Sequence, residues 1–289
     1  MVKKKIGKKK SNSSKNPKKI IKKKEINLPK ESKIKTLPKK GKTIFDIRLK
    51  RSKREKNTTQ KRVPSGIPGL DTQVQGGFKH GSINLIEGGP GSGKTIFATQ
   101  FLVEGLRRGE PVAYITFEVM KEKFYENMKL FGWDLEKYEE EGLFTFLAYT
   151  PEQIKRILIE GGGTIDALVH QKKIKRIVID SITSFALLYA NELAKKEAAL
   201  TLFNVINTWD CTALLTAQDE GGESKGEIVS AALDFEVDGI IVLYHTKKKS
   251  IRKRGIEVLK MRGTKTPNKT YNLDIGKGGL KILKSAYSY

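Results

Sequence analysis

The eight residues from Gly88 to Thr95 match a phosphate-binding pattern. They read G-G-P-G-S-G-K-T and satisfy G-x-x-x-x-G-K-[ST] at every fixed position, after a strand-like run and before a helical one. Glycines let such a loop aim backbone N–H groups at phosphate oxygens. Lys94 supplies a charge for the β- and γ-phosphates, and the Thr95 hydroxyl is suited to ligate Mg²⁺. The predicted nucleotide-binding residues are Gly88, Gly89, Pro90, Gly91, Ser92, Gly93, Lys94 and Thr95.

Polar side chains end three further runs that read as strands. Asp180 ends a fully apolar run, where an acid can hold the hydration shell of a phosphate-bound Mg²⁺. Glu118 ends a second run and is our candidate base for the attacking water, and Gln218 ends a third, where it can sense a γ-phosphate. Because ligands bind at the carboxyl ends of parallel strands, we expect all three near Lys94. The structural alternatives are a turn cap for Asp180 and an exposed helix start for Glu118.

Short β-branched runs alternate with helical stretches from about Val63 onward, which is typical of βαβ units around a largely parallel sheet. The fold class is therefore α/β, and the last four strands leave no room for helices, so that part is predicted antiparallel. Predicted strands are Ile83–Glu87, Val112–Phe117, Phe144–Ala148, Ile174–Asp180, Thr212–Ala217, Gly239–Tyr244, Gly255–Met261, Lys269–Ile275 and Leu280–Leu283. Predicted helices are Lys94–Arg108, Lys121–Phe131, Asn191–Trp209, and Pro151–His170 broken at Gly161–Gly163.

The basic charge belongs to one end of the chain. Residues 1–62 hold 26 Lys or Arg and four acids, a net charge of +22 out of +24 for the whole chain. With one aromatic residue and sparse apolar ones, residues 1–61 are predicted to be a disordered Lys-rich arm before a domain over 62–289. The arm is either a solubilising extension, a sequence-independent nucleic-acid contact, or a contact with an anionic membrane surface or a protein.

Several classes of protein are excluded by the composition. The longest apolar runs fall far short of a membrane span, and the basic N-terminus lacks the apolar region of a secretory signal, so we expect a cytoplasmic protein. Cys211 has no partner for a disulfide and is expected to be buried. His80, His170 and His245 are too scattered to suggest a metal site.

Motifs in a fixed order give the chain a resemblance to the KaiC-like branch of the RecA superfamily. They cover essentially residues 62–285, and F-G-W-D-L with K-M-R-G-T is more specific than the phosphate-binding loop alone. The motifs are Arg62–Asp71, Gly76–Gly77, Gly88–Thr95, the strand ending at Glu118, Phe131–Leu135, Asp180–Ser181 and Lys260–Thr264.

The resemblance implies a RecA-type core, ATP as the nucleotide, and a homo-oligomeric ring, for example a hexamer, with ATP between subunits. It also implies that Lys260 and Arg262 reach the γ-phosphate held by a neighbouring subunit, as an arginine finger does. The sequence departs from the clock-type members of this family in two places. Val119 stands where many of them have a second glutamate, and Asp234 and Phe235 stand at the positions that align with their phosphorylated residues. A circadian autokinase is therefore not expected.

Two other functions stay open beside an oligomeric Mg²⁺-dependent ATPase that acts as a regulator or motor subunit. One is a nucleotide-gated scaffold with little turnover, of the archaellum-accessory type, which Val119 favours. The other is a RecA-like recombination or repair protein, against which the acidic segment Asp219–Glu227 argues. The basic cluster Lys247–Arg254 is predicted to be a turn between two late strands, either solvated or in contact with nucleic acid.

Overall fold

The computed structural model describes residues 61–159, 163–218, 236–248 and 250–286. The predicted arm lies outside the described residues apart from Lys61, and so do the acidic segment 219–227 and the pair Asp234 and Phe235. The expectations for those segments therefore stay predictions.

The strands and helices alternate along the described chain. Its strands are β1 (Arg62–Val63), β2 (Phe78–Lys79), β3 (Ile83–Gly88), β4 (Val112–Thr116), β5 (Phe144–Ala148), β6 (Arg176–Asp180), β7 (Thr212–Gln218), β8 (Gly239–Lys248), β9 (Ile251–Met261), β10 (Tyr271–Gly276) and β11 (Gly279–Ala286). Its α-helices are α1 (Lys94–Arg107), α2 (Lys121–Lys129), α3 (Leu135–Glu140), α4 (Pro151–Ile159), α5 (Gly163–Gln171), α6 (Ile182–Ala186) and α7 (Glu192–Thr208). A 3₁₀ helix spans Asp71–Val74.

The central sheet has nine strands in the order β11-β10-β9-β8-β3-β7-β6-β4-β5. Strand β3 lies between β7 and β8 and is parallel to both, and β6, β4 and β5 continue the parallel part. Strands β9, β10 and β11 are antiparallel to their neighbours. The α/β class, the mainly parallel sheet and the antiparallel C-terminal strands are thereby confirmed.

Helices cover both faces of the sheet, so its parallel strands are apolar on both sides. Successive residues of a strand face opposite sides, and in β7 Leu214 joins one core while Leu215 joins the other. Phe101 of α1 packs in the first core, and Phe203 of α7 packs in the second. Cys211 also lies in the second core and is buried, as expected, and this burial raises its pKa to about 12.

The structure corrects the prediction for the basic cluster. The cluster Lys247–Arg254 lies at the tip of a hairpin between two late strands, as predicted, but the turn is shorter than predicted, because β8 and β9 stay paired in register from Tyr244↔Gly255 to Lys248↔Ile251. Strand pairing is made by backbone hydrogen bonds, which form whatever the side chains are, so a run of cationic side chains does not by itself interrupt the pairing. The helical stretch after Pro151 is divided into α4 and α5 as predicted, and α5 begins at Gly163 itself.

A buried arginine fixes the far end of β6, the strand that carries Asp180. The Arg176 side chain is 0% exposed, and its Nε donates to a Glu110 carboxylate oxygen at 2.6 Å. Its Nη1 donates to the carbonyl oxygens of Pro64 at 2.7 Å and Phe101 at 2.9 Å. Arg176 therefore joins β6 to α1 and to the start of the domain.

Replacing Arg176 with methionine is expected to lower the free energy of unfolding by about 3 kcal/mol. Methionine fills part of the volume, but the Glu110 carboxylate and the carbonyls of Pro64 and Phe101 lose their donor. Urea denaturation of the purified variant measures the change.

Arg108→Met is the matched control for that substitution. Arg108 pairs with Glu104 at the same 2.6 Å, but its side chain is 49% exposed. An exposed pair of this kind contributes at most about 1 kcal/mol. The buried Trp133 and Trp209 report unfolding by fluorescence, and an equal loss of stability in both variants would contradict the role of Arg176.

Candidate functional site

The loop from Gly88 to Thr95 connects the central strand β3 to the start of α1. A Cβ atom on Gly88 would lie 2.4 Å from the carbonyl oxygen of Leu243, so no larger residue fits beside β8. Gly93 has a φ of 107°, in the left-handed region that favours glycine. No side chain caps the N-terminus of α1, so its first N–H groups are available to an anion.

The Lys94 side chain lies over this loop. Its ammonium donates to the carbonyl oxygens of Gly88 at 2.6 Å and Gly89 at 3.1 Å. The loop and Lys94 form one wall of an open cleft of about 520 Å³. The residues that line the cleft are Gly91, Gly93, Lys94, Thr95, Ile96, Arg254 and Ile275. A helix N-terminus, a lysine and a cleft of this size together fit a nucleoside triphosphate.

Asp180 is the centre of a hydrogen-bond network drawn from four elements. Its Oδ2 accepts from Thr95 Oγ1 at 2.8 Å and from the Tyr114 hydroxyl at 2.6 Å. Its Oδ1 accepts a short hydrogen bond from Thr216 Oγ1. Burial, and then the charge of Asp180, raises the pKa of Tyr114 well above its usual range, so this hydroxyl stays protonated and donates. The network directs one carboxylate at the threonine of the phosphate-binding loop, which fits a metal site.

Tyr114 and Thr216 were missed by the sequence analysis. Both lie inside buried strands, where an isolated hydroxyl gives no sign of its partner. A polar tip in an otherwise apolar strand is the only signal, since a buried hydroxyl needs a hydrogen-bond partner.

Glu118 lies two residues beyond the end of β4, at the same sheet edge as Asp180, because Thr116 and Asp180 are paired in register. Its Oε1 accepts a hydrogen bond from Ser181 Oγ at 3.3 Å and a short one from Ser184 Oγ. Ser184 belongs to α6, a helix that the sequence analysis did not identify. The carboxylate is therefore oriented by the turn that follows Asp180.

Gln218 is also at this edge. It ends β7 and pairs in register with Gly88, the first residue of the loop. Its backbone N–H donates to Thr183 Oγ1 at 2.8 Å, and its side chain is exposed. The structure therefore brings Lys94, Thr95, Asp180, Glu118 and Gln218 to one end of the sheet.

Lys260 and Arg262 lie at the other end of the sheet. Lys260 pairs with Ile240 near the start of β8, whereas the residue of β8 beside Gly88 is Leu243. Arg262 follows β9; its side chain is 50% exposed and lies 3.8 Å from Asp238. Three to four residues of strand correspond to about 10–13 Å, so the chain does not bring this pair to its own loop.

Two residues of β8 and β9 contact the loop directly. Nδ1 of His245 lies 3.3 Å from the carbonyl oxygen of Pro90, and Nε of Arg254 donates to the carbonyl oxygen of Gly91 at 3.1 Å. The sequence analysis missed both contacts, because it placed Arg254 in a turn and considered His245 only as a possible metal ligand.

Two kinds of feature are absent from the described residues. Among them no group of three or more His, Cys, Asp and Glu side chains is arranged to hold a metal ion by itself. Within the same residues no helix has the length and apolarity to cross a membrane.

Comparison with known proteins shows which family of sequences this chain resembles. A family model described as "ATPase: KaiC" matches residues 63–287. A UPF0273 protein of Pyrococcus furiosus is 36% identical over 248 residues, which are 79% of this chain and 98% of that protein. The circadian clock protein KaiC3 of Synechocystis is 34% identical over 211 residues, 70% of this chain but 41% of that longer protein.

A solved structure has the same fold. The crystal structure of a KaiC-like protein from the archaeon Pyrococcus horikoshii is 35% identical, with a TM-score of 0.67 over 78% of this chain and 99% of that chain. The matched region contains the loop, Asp180 and Glu118, while the predicted arm lies outside the matched residues 63–287.

Proposed function

Since this chain belongs to the KaiC family of ATPases, we propose that it binds ATP with Mg²⁺ in the cleft beside Lys94 and hydrolyses it. The observation that carries the proposal is the contact of Asp180 with Thr95 Oγ1, made while Tyr114 and Thr216 hold the same carboxylate. A threonine ligand with an acid behind it is the arrangement that P-loop ATPases use for Mg²⁺.

Each residue at this edge then has a defined task. Backbone N–H groups of the loop and Lys94 bind the phosphate oxygens, and Lys94 exchanges its bonds with Gly88 and Gly89 for bonds with the phosphates. Thr95 would hold Mg²⁺ through its hydroxyl, and Asp180 would support the metal from behind through its carboxylate. Bound Mg²⁺-ATP supplies the phosphoryl group and the metal charge.

Glu118 accepts the proton of the attacking water in this proposal. Ser184 and Ser181 donate to one of its oxygens, which leaves the other oxygen able to face a water molecule. A general base of this kind contributes about 10²–10⁴-fold to a rate. Gln218, beside Gly88, is proposed to contact the γ-phosphate region.

Lys260 and Arg262 complete the site from a neighbouring subunit. Their position at the opposite end of the sheet from Lys94 supports action in trans, because a head-to-tail contact brings opposite ends together. The proposed assembly is therefore a homo-oligomer with ATP at its subunit interfaces, and its role is that of a regulator or motor subunit.

A nucleotide-gated scaffold with little turnover is the second candidate. Val119 follows Glu118 and is partly buried against the first core, so its side chain is part of the packing and offers no second carboxylate. Within the part of the chain that the structure describes, the side chain of Glu118 is oriented by the hydroxyls of Ser181 and Ser184.

Nucleotide binding is tested with Lys94→Ala, which is expected to weaken Mg²⁺-ATP binding on the order of 10- to 100-fold. The wild type gains two charge-assisted hydrogen bonds to phosphate, each contributing about 1.5–3 kcal/mol, but gives up the two from Lys94 to Gly88 and Gly89, so the net loss in the variant is about 1.5–3 kcal/mol. Isothermal titration calorimetry on the full chain measures the affinity, and Lys196→Ala, at an exposed position of α7, is the control. Unchanged affinity in Lys94→Ala would rule out the cleft as the ATP site.

Light scattering with and without Mg²⁺-ATP gives the mass in solution, and phosphate release gives the turnover. ATP-dependent assembly with turnover supports the oligomeric ATPase. Tight binding without turnover supports the scaffold.

A further inference from the structure

The end of the β8–β9 hairpin, which we call the basic ribbon, consists of residues 244–248 and 251–254. Pairing of β8 with β3 ends at Leu243, and pairing of β9 with β10 ends at Gly255. Among the described residues the strands of the ribbon pair only with each other. Five residues of strand project about 16 Å beyond the sheet, on the side of the phosphate-binding loop.

The charge of this ribbon is of one sign. Residues 239–256 contain six Lys or Arg residues and neither Asp nor Glu. Lys247, Arg252 and Lys253 are exposed. A charge of this density attracts a polyanion and not a neutral or cationic surface.

The register places several of these cations on one face. Lys247 is directly opposite Arg252, and His245 is directly opposite Arg254. Cross-strand partners share a face, and so do residues two apart in one strand, so these four side chains form a single strip. Like charges directly opposite each other destabilise a hairpin, and the pairing of Lys247 with Arg252 is such a conflict. Local conflicts of this kind are expected at functional sites.

The strip is continuous with the nucleotide-binding loop. At its base His245 and Arg254 lie against the carbonyl oxygens of Pro90 and Gly91, and at its outer end Lys247 and Arg252 are exposed. The strip therefore leads from the phosphate-binding loop to solvent, and its two arginines, Arg252 and Arg254, lie about 6.6 Å apart along β9.

We propose that the basic ribbon binds the phosphate backbone of double-stranded DNA. A two-stranded ribbon has the width that the major groove of B-DNA admits, whereas the major groove of A-form RNA is too narrow for side chains to enter. Apart from Tyr244 at its base, whose hydroxyl donates to Glu257, the ribbon contains no Phe, Tyr or Trp, so its outer part has no stacking surface for the bases of a single strand. Contacts to phosphates alone make the binding independent of sequence.

The test is the salt dependence of DNA binding by the full chain. The variant Lys247→Gln/Arg252→Gln/Lys253→Gln leaves Arg254 and the loop intact. Fluorescence anisotropy with a labelled DNA duplex of mixed sequence gives the affinity over a series of salt concentrations. Each phosphate contact contributes about 0.9 to the slope of log K against log salt, so the slope is expected to fall by about 2 to 3.

Lys123→Gln/Lys137→Gln/Lys196→Gln removes the same charge from exposed helical positions and is the matched control. For this control variant, the slope of log K against log salt is expected to differ from the wild-type slope by less than about 1. The N-terminal cations are present in all three proteins, so their contribution cancels in the comparison. Unchanged ATP affinity and thermal melting establish that both variants are folded.

Two results would overturn the proposal. One is an equal decrease of the slope in both triple variants, or none in the ribbon variant. The other is a decrease seen with single-stranded DNA or an RNA duplex but not with the DNA duplex.

Discussion

Glu118→Gln is expected to reduce ATP turnover by about 10²–10⁴-fold while the affinity for Mg²⁺-ATP stays within a few-fold of the wild type. Glutamine can still accept hydrogen bonds from Ser181 and Ser184 through its amide oxygen, so the local structure is kept. It cannot take a proton from water, so only the chemical step is removed. Steady-state phosphate release measures turnover, and calorimetry measures binding.

The control for Glu118 is Glu122→Gln, at an exposed position of α2. It removes the same charge a short distance away and is expected to leave turnover unchanged. Retained turnover in Glu118→Gln would assign the base elsewhere. Absence of turnover in the wild type, with tight ATP binding, would instead favour the scaffold.

Arg262→Ala is expected to reduce turnover by about 10³–10⁵-fold if the arginine acts as a finger. The loss has little to do with stability, because the 3.8 Å contact with Asp238 is at the surface and contributes at most about 1 kcal/mol. Arg108→Ala is the control, since Arg108 has a similar exposure and its own ion pair with Glu104.

Mixing inactive proteins separates action in trans from action in cis. In a mixture of Arg262→Ala with Lys94→Ala, an intact loop from the first can meet an intact arginine from the second. At random mixing about a quarter of the head-to-tail interfaces are of this kind. A double variant that carries both substitutions is the control partner and restores nothing. If the Lys94→Ala partner also restores no turnover, Arg262 does not act across the interface.

The sequence predicted the parts of the site that depend on local chemistry. Gly88–Thr95 is recognisable because backbone approach to phosphate requires glycines at fixed spacing, and Asp180 because an acid ends an apolar strand. The hydrogen-bond partners of Asp180 were not predictable, since Tyr114 and Thr216 lie 66 and 36 residues from Asp180 in the chain. Their proximity follows from strand order, which apolar periodicity does not specify.

The strands of the basic ribbon could not be predicted from the sequence for a different reason. Composition indicated a turn over the whole of Lys247–Arg254, but the ladder between β8 and β9 continues as far as the pair Lys248↔Ile251. Strand prediction relies on apolar and β-branched residues, and a strand without a buried face lacks that signal. The short helices α3 and α6 were not predicted either. They have six and five residues, and a helical periodicity cannot be recognised in segments of that length.

The separation of Lys94 from Arg262 along the sheet has a consequence for how active sites are counted. In the proposed assembly each subunit carries a loop at one end of its sheet and, at the other end, the cations proposed to complete a neighbour's loop. A contact of this head-to-tail kind is heterologous, and it either closes on itself or continues in an open row. An open row always leaves the loop of one terminal subunit without a neighbour's arginine. Closure therefore creates the last active site without the addition of a subunit, so the catalytic rate per subunit reports the symmetry of the assembly.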